Sequence, residues 1–313
     1  MTAAGAKVIF FGNERLATGV TTTAPTLRAL IAAGYDVVAV VSHHSSVRSR
    51  KARDLEIAAV AEQHAIPLLL PEKPADITDQ LAGYGATIGV LVAYGKIVPQ
   101  SIIDIFPRGI INIHPSLLPL HRGPTPLESV MLDGSAQTGV SVMQLVKAMD
   151  AGPVYGQNKH ALAGTETKQQ LADTLLGIGS SMVVDLLPRI LDGSLQPTPQ
   201  NDRAATYDSL ITKTDGVIDL TKPAARLARE IRAYAGWPGS STQLASKDVV
   251  ITAAHSRAAE ATGPAAAPGT IWREGKQFGI YTTDGILVID SLKPAGKQEM
   301  AAQAFLNGYA KDL

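Results

Sequence analysis

The sequence contains no cysteine. That excludes disulfides, thiolate nucleophiles, cysteine-ligated zinc and iron–sulfur clusters. Net charge is also missing, because 28 Lys and Arg balance 28 Asp and Glu among the 313 residues. Phosphate binding needs a positive field, so a general nucleic-acid binder is excluded, and a local basic patch stays open. Charged residues reach only 18% and hydrophobic residues 45%, which excludes a mainly disordered chain. No apolar run approaches the ~20 residues of a membrane helix. Residues 1–7 lack the basic-then-apolar pattern of a signal peptide. Internal repeats and low-complexity tracts are absent too. A soluble, cytoplasmic monomer of about two domains, with no membrane partner, is expected.

What is present is an alternation. Short apolar strands are predicted over 7–11, 36–41, 66–70, 88–93 and 109–114, with helices over 23–34, 55–65, 77–84 and 99–105 between them. Strands separated by helices imply an α/β, doubly wound, mostly parallel sheet covered on both faces. Residues 125–132 and 138–145 continue the pattern, and 168–191 read as one long amphipathic stretch. Residues 192–202 are rich in turn formers. Beyond them one helix (224–235) precedes strand candidates at 249–253, 269–272, 278–282 and 286–289, with a hairpin turn at Thr283-Asp284-Gly285. The expected organisation is a first domain over 1–191, a linker over 192–206 and a small β-rich, barrel-like domain over 207–313.

The chemistry concentrates at one strand end. Alternate residues of a strand share a face, so Asn112 and His114 point together, away from Ile111 and Ile113. A central parallel strand is normally apolar on both faces. Two polar side chains at its carboxyl end, where doubly wound sheets bind ligands, need a reason. An amide donor beside an imidazole suits a developing oxyanion, and an Asp brought close could set the tautomer or relay a proton. Asp150, before Ala151-Gly152 on a tight loop, is the candidate. Taken singly, each residue also has a plain reading: a satisfied core histidine, a strand-end amide and a turn cap.

Other signatures are weak. Gly12 to Gly19 is not a dinucleotide fingerprint, and no phosphate loop, metalloprotease helix or nucleophile elbow occurs. The seven His residues show no ligand spacing, so no metal is expected. Arg48, Arg50, Lys51 and Arg53 form either a solvated surface loop or one that touches phosphates. Arg226, Arg229 and Arg232 share roughly one helix face, again either an ordinary exposed face or a nucleic-acid contact.

Asn112-Ile-His114, Ser116-Leu-Leu-Pro119, Arg122-Gly123, Thr138-Gly139 and Asp150-Ala-Gly152 together resemble the folate-dependent formyltransferases. Within that superfamily, Ile289 to Lys297, Met300, Ala304 to Gly308, Tyr207 to Ile211, Gly236-Trp-Pro238 and Val92-Ala-Tyr-Gly95 resemble the methionyl-tRNA formyltransferase family, over nearly the whole chain. The resemblance implies a first domain that binds 10-formyltetrahydrofolate and a second of the OB type that contacts tRNA. It implies formyl transfer to methionyl initiator tRNA for translation initiation, with an amino-sugar nucleotide as the alternative acceptor. A non-catalytic tRNA- or folate-binding protein on the same scaffold is the third reading.

The catalytic roles carry over to Asn112, His114 and Asp150. Folate contacts carry over to Ser116, Leu117, Leu118 and Pro119, with Val92, Ala93, Tyr94 and Gly95 completing an apolar slot for the pterin ring. A basic loop reaching the tRNA acceptor stem carries over to Arg48, Arg50, Lys51 and Arg53. The sequence departs from the family at Gly12-Asn13-Glu14, where Gly-Thr-Pro or Gly-Ser-Pro is usual, and at Ser45-Ser46 in the basic loop.

Overall fold

The computed structural model describes residues 5–43, 55–259 and 266–309. The chain packs as two units. The first comprises Met1–Leu127, Ala136–Leu162 and Gln169–Ser209, and the second Glu128–Ser135, Ala163–Lys168 and Leu210–Leu313.

In the first unit the apolar runs form a seven-stranded sheet. Its strands are β1 (Lys7–Gly12), β2 (Asp36–Val41), β3 (Leu68–Leu69), β4 (Ile88–Val92), β5 (Ile110–His114), β6 (Gln137–Gln144) and β7 (Val154–Ala161). Their spatial order is β3-β2-β1-β4-β5-β6-β7. The first five are parallel, and β6 and β7 are antiparallel. Val8, Ile9, Phe10 and Phe11 on β1 and Ile88, Val90 and Val92 on β4 are buried, as strands covered on both faces require. From β1 the chain first builds outward through β2 and β3, then returns to add β4 on the other side. The carboxyl ends of β1 and β4 therefore flank a topological switch point, where open α/β sheets take ligands.

The helices of this unit include α1 (Pro25–Ala32), α2 (Glu56–Gln63), α3 (Thr78–Gly83) and α4 (Gln100–Ile103). Helix α5 (Pro126–Asp133) starts here and ends in the second unit. The long α6 (Lys168–Asp192) lies close on the sheet: a Cβ on its Gly179 would fall 2.5 Å from the Ile113 side chain. Contrary to the run-length expectation, α6 is long and apolar enough to cross a membrane by length and composition. Leu171, Leu175, Leu176, Val183, Leu187 and Ile190 on it are buried within the fold.

The second unit begins at Leu210 and takes in 128–135 and 163–168, which the sequence reading assigned to the first domain. Two contacts account for this. Lys168 and Glu128 form a buried pair, Nζ to Oε1 3.6 Å. Arg226 and Arg229, on α7 (Ala224–Ala233), both donate to the Leu132 carbonyl near the end of α5. The antiparallel sheet consists of β8 (Ser240–Leu244), β9 (Lys247–Arg257), β10 (Ile271–Glu274), β11 (Gln277–Tyr281), β12 (Ile286–Pro294) and β13 (Met300–Ala301). Leu227 and Ile231 of α7 and Phe305 of α8 (Ala302–Tyr309) close its core with Val249, Phe278 and Leu287.

Candidate active site

At the switch point lies a cavity of about 480 Å³. Its walls come from four strand ends: Asn13 and Arg15 to Val20 after β1, His43 after β2, Ala93 to Gly95 after β4, and Asn112 to Pro115 at the end of β5. Gly123, Pro124, Pro126 and Asp150 close the remaining side. A larger cavity, about 640 Å³, lies around Gly109 and Gln144 at the other end of β5 and is lined by none of the three candidate catalytic residues.

Asn112 and His114 reach the cavity from the same face of β5, each less than a tenth exposed. The His114 Nε2 lies 2.8 Å from the His121 carbonyl oxygen, and Nδ1 lies 3.8 Å from Asp150 Oδ1. Asp150 is held from two sides. The Gly123 N–H donates to its Oδ2 at 2.9 Å, and the Gln200 amide donates to its backbone carbonyl at 2.8 Å. Its φ of 47° is left-handed, a conformation that aspartate adopts more readily than most non-glycine residues.

Arg122, 1% exposed, sits behind this arrangement. It donates to Gln200 Oε1 through Nε (3.0 Å) and Nη2 (2.8 Å), to Asp202 through Nη2 and to the Tyr207 hydroxyl through Nη1. Asp202 and the Tyr207 hydroxyl raise the pKa of this guanidinium against the opposing effect of burial. Residues 198–208, expected mainly as linker, thus belong to the back wall of the site. Their backbone pairs with Val154, Pro119 and Arg122.

Not all expected ligand residues meet. Ala93, Tyr94 and Gly95 line the cavity, and Val92 is buried behind them. Burial pushes the Tyr94 phenol up to about 12, so it is un-ionised near neutral pH. The Ser116–Pro119 run instead holds the chain after β5. Ser116 donates to Leu120 O, and Ser141 Oγ both donates to Ser116 O and accepts from Leu118 N–H. Leu118 and Pro119 line a separate, smaller cavity with Gln157 and Gln200, and Leu117 is half-buried. Arg48, Arg50, Lys51 and Arg53 lie outside the described residues.

The unusual Glu14 has a structural use. Ala24, at the N-cap of α1, offers no capping side chain, and the Glu14 carboxylate accepts from the N–H groups of Thr26 and Leu27 at 2.8 and 2.9 Å instead. Desolvation in this buried position raises its pKa despite those bonds. Sequence reasoning also missed His121 and Gln200. Gln200 carries no local signal, since it sits in a turn-rich segment 50 residues from Asp150.

An amide and an imidazole at the end of a buried strand, a carboxylate facing the ring and a cavity in front of them define an α/β enzyme equipped for acyl transfer. Two family descriptions match the chain: formyl transferase over residues 7–187, and formyl transferase, C-terminal domain, over residues 210–310. The chain belongs to the formyl transferase family. It is 34% identical to the methionyl-tRNA formyltransferase of Roseiflexus castenholzii, over 96% of this chain and 96% of that protein. With the methionyl-tRNA formyltransferase of Chloroflexus aurantiacus it shares 36% identity, over 98% of each.

Among solved structures it resembles an N-formyltransferase from Helicobacter canadensis in complex with folinic acid and dTDP-3-aminofucose. The TM-score is 0.67 at 15% identity, covering 95% of this chain and 100% of that one. HypX from Aquifex aeolicus in complex with tetrahydrofolic acid gives a TM-score of 0.62 at 16% identity, over 97% of this chain. This chain spans about half of that longer protein, 47%.

Proposed function

We propose that the chain transfers the formyl group of 10-formyltetrahydrofolate to the amino group of methionyl initiator tRNA, whose product serves translation initiation. The reading rests on one observation above all. Asn112, His114 and Asp150 converge on one cavity in a chain that aligns end to end with methionyl-tRNA formyltransferases.

The folate supplies a formyl carbon bonded to nitrogen. The Asn112 amide donates to the formyl oxygen as the attacking amine turns it into an oxyanion. Loss of one such donor costs roughly 10²–10³ in rate. The bond from the amine to the carbon releases a proton from the amine. Asp150 Oδ1, opposite His114 Nδ1, accepts it, and it returns to the folate nitrogen as the bond from that nitrogen to the formyl carbon breaks. Ala93 to Gly95 and Leu91 provide a wall against which a flat ring can stack. Ser116 to Pro119 keep the end of β5 in place behind the folate. Arg48, Arg50, Lys51 and Arg53 take phosphates of the acceptor stem. The chain acts as a monomer in the cytoplasm, without a membrane.

The test is to incubate the purified protein with 10-formyltetrahydrofolate and methionine-charged initiator tRNA and to measure formylation of the methionyl amine. Turnover that disappears in Asp150→Ala supports the reading. Folate-dependent formylation of an amino-sugar nucleotide, with none on the tRNA, overturns it.

A further inference from the structure

The Gln200 side chain uses all of its hydrogen-bonding capacity on one task. Its amide nitrogen donates to the carbonyls of Asp150 (2.8 Å) and Gly152 (2.7 Å), and its oxygen accepts two bonds from Arg122. The orientation of the amide is fixed, because a guanidinium only donates and a backbone carbonyl only accepts. Gln200 therefore ties the loop that carries Asp150 to a buried cation that is itself anchored to Tyr207 and Asp202.

Two features make that tie consequential. Asp150 holds a left-handed backbone, so the direction of its carboxylate follows from the path of the loop around it. The other support of the carboxylate is the Gly123 N–H, on the residue after Arg122. Arg122 thus fixes the backbone of Asp150 through its guanidinium and Gln200, and the residue that follows it in the chain supplies the N–H that holds Oδ2. At Gly152 the loop is packed so closely that an added Cβ would lie 1.8 Å from the Gln144 carbonyl oxygen, which leaves no slack for an alternative path.

We propose that Gln200 is a positioning residue for formyl transfer: it holds Asp150 in register with His114 by donating to the Asp150 and Gly152 carbonyls. The proposal rests on the functional reading above. It requires the two donated bonds specifically, beyond the pairing with Arg122.

Gln200→Glu separates the two. Glutamate keeps the length and the acceptor for Arg122, yet turns an oxygen toward two carbonyl oxygens. A role confined to holding Arg122 tolerates it, and a positioning role does not. Misplacement of a reacting group by about 1 Å can cost ~10² in rate. Gln200→Glu should therefore lower kcat by about 10²-fold with methionyl initiator tRNA, while the Kd for tetrahydrofolate, read by fluorescence titration, stays within about threefold. Gln200→Met, of similar length and without polar atoms, should show the same split and is read in its place if the Glu variant does not fold. Asp150→Asn is measured alongside. If Asp150→Asn is inactive and both Gln200 variants keep kcat within threefold, the positioning role is overturned and the functional reading stands. Loss of tetrahydrofolate binding in step with kcat also overturns it, because Gln200 would then act on the binding wall. Full activity in Asp150→Asn overturns the catalytic role given to Asp150 and the proposal with it, and leaves the formyl-transfer activity itself standing.

Discussion

His114 donates its Nε2 hydrogen to the backbone carbonyl of His121 across 2.8 Å. A carbonyl oxygen cannot donate, so a hydrogen resides on Nε2, and Nδ1 is the ring nitrogen that faces Asp150 Oδ1. The two atoms lie 3.8 Å apart, too far for a direct hydrogen bond, and with the neutral ring both are acceptors, as the proposed passage of the proton requires. His121 is itself fixed, with a left-handed backbone (φ 57°) and its N–H on Thr206 Oγ1 at 2.7 Å. Nitrogen NMR should show the neutral His114 ring protonated at Nε2. His114→Ala should keep the fold and lower formyl transfer by at least ~10²-fold. A ring protonated at Nδ1, or a fully active Ala variant, removes this route for the proton.

Glu14 makes a different prediction, about stability. Its folded pKa is raised above 4.5 by burial. The folded state therefore holds a proton more tightly than the unfolded state, and this group's contribution to stability grows as pH falls from neutrality toward 4.5. A glutamine side chain cannot titrate, so Glu14→Gln should flatten that part of the pH profile. It also loses one of two acceptors at the start of α1, which should cost about 1 kcal/mol at neutral pH. Urea unfolding of both proteins from acid to neutral pH measures the two effects. Parallel profiles would show that Glu14 does not titrate in this range.

The strand that carries the chemistry was readable because its pattern is local. Alternation alone put Asn112 and His114 on one face of β5, and both line the cavity. Strand β7 was not readable. As the outer strand of the sheet it exposes Gln157, Asn158 and Lys159, so it has no apolar run to announce it. Strand β8, with Ser240, Ser241, Thr242 and Gln243, escaped for the same reason. The supports of the site are non-local. Gln200 and Thr206 act on residues 50 and 85 positions away, and only the path of the chain over the first unit brings them there. Gly12-Asn13-Glu14 looked like a defect in the family pattern, and the capping of α1 explains the last of those residues.

Gly12 sits where β1 and β4 meet at the switch point. Its φ is 132°, and a Cβ there would lie 1.8 Å from the Val92 carbonyl oxygen. The obstacle is backbone, so the strand ends must part to admit a methyl group. Gly12→Ala should destabilise the protein by about 1–3 kcal/mol, as overpacking does. Because Ala93 to Gly95 follow Val92 directly, tetrahydrofolate affinity should fall as well. Denaturant midpoints and a fluorescence titration check both, and a variant with wild-type stability would show that the two strand ends are freer than their spacing implies.

The arginines of α7 and those of the 48–53 stretch should behave oppositely toward salt. Arg226 Nη1 and Arg229 Nε donate to the Leu132 carbonyl at 2.6 and 3.1 Å, serving an end of α5 where backbone carbonyls lack helical partners. Arg226 also pairs with the buried Glu230 at 3.0 Å. Hands already occupied in this way are poor phosphate ligands, so Arg226→Ala should cost about 1–2 kcal/mol of stability and leave the salt dependence of tRNA binding unchanged. Arg48, Arg50, Lys51 and Arg53 are proposed to contact phosphate. Replacing all four with Ala should make the slope of log affinity against log salt shallower by up to about 3, since each released counterion contributes roughly 0.7–0.9. Binding of methionyl initiator tRNA measured at several salt concentrations decides the matter. If Arg226→Ala flattens the slope and the fourfold variant does not, the phosphate contacts belong to α7, and the cap on α5 is incidental.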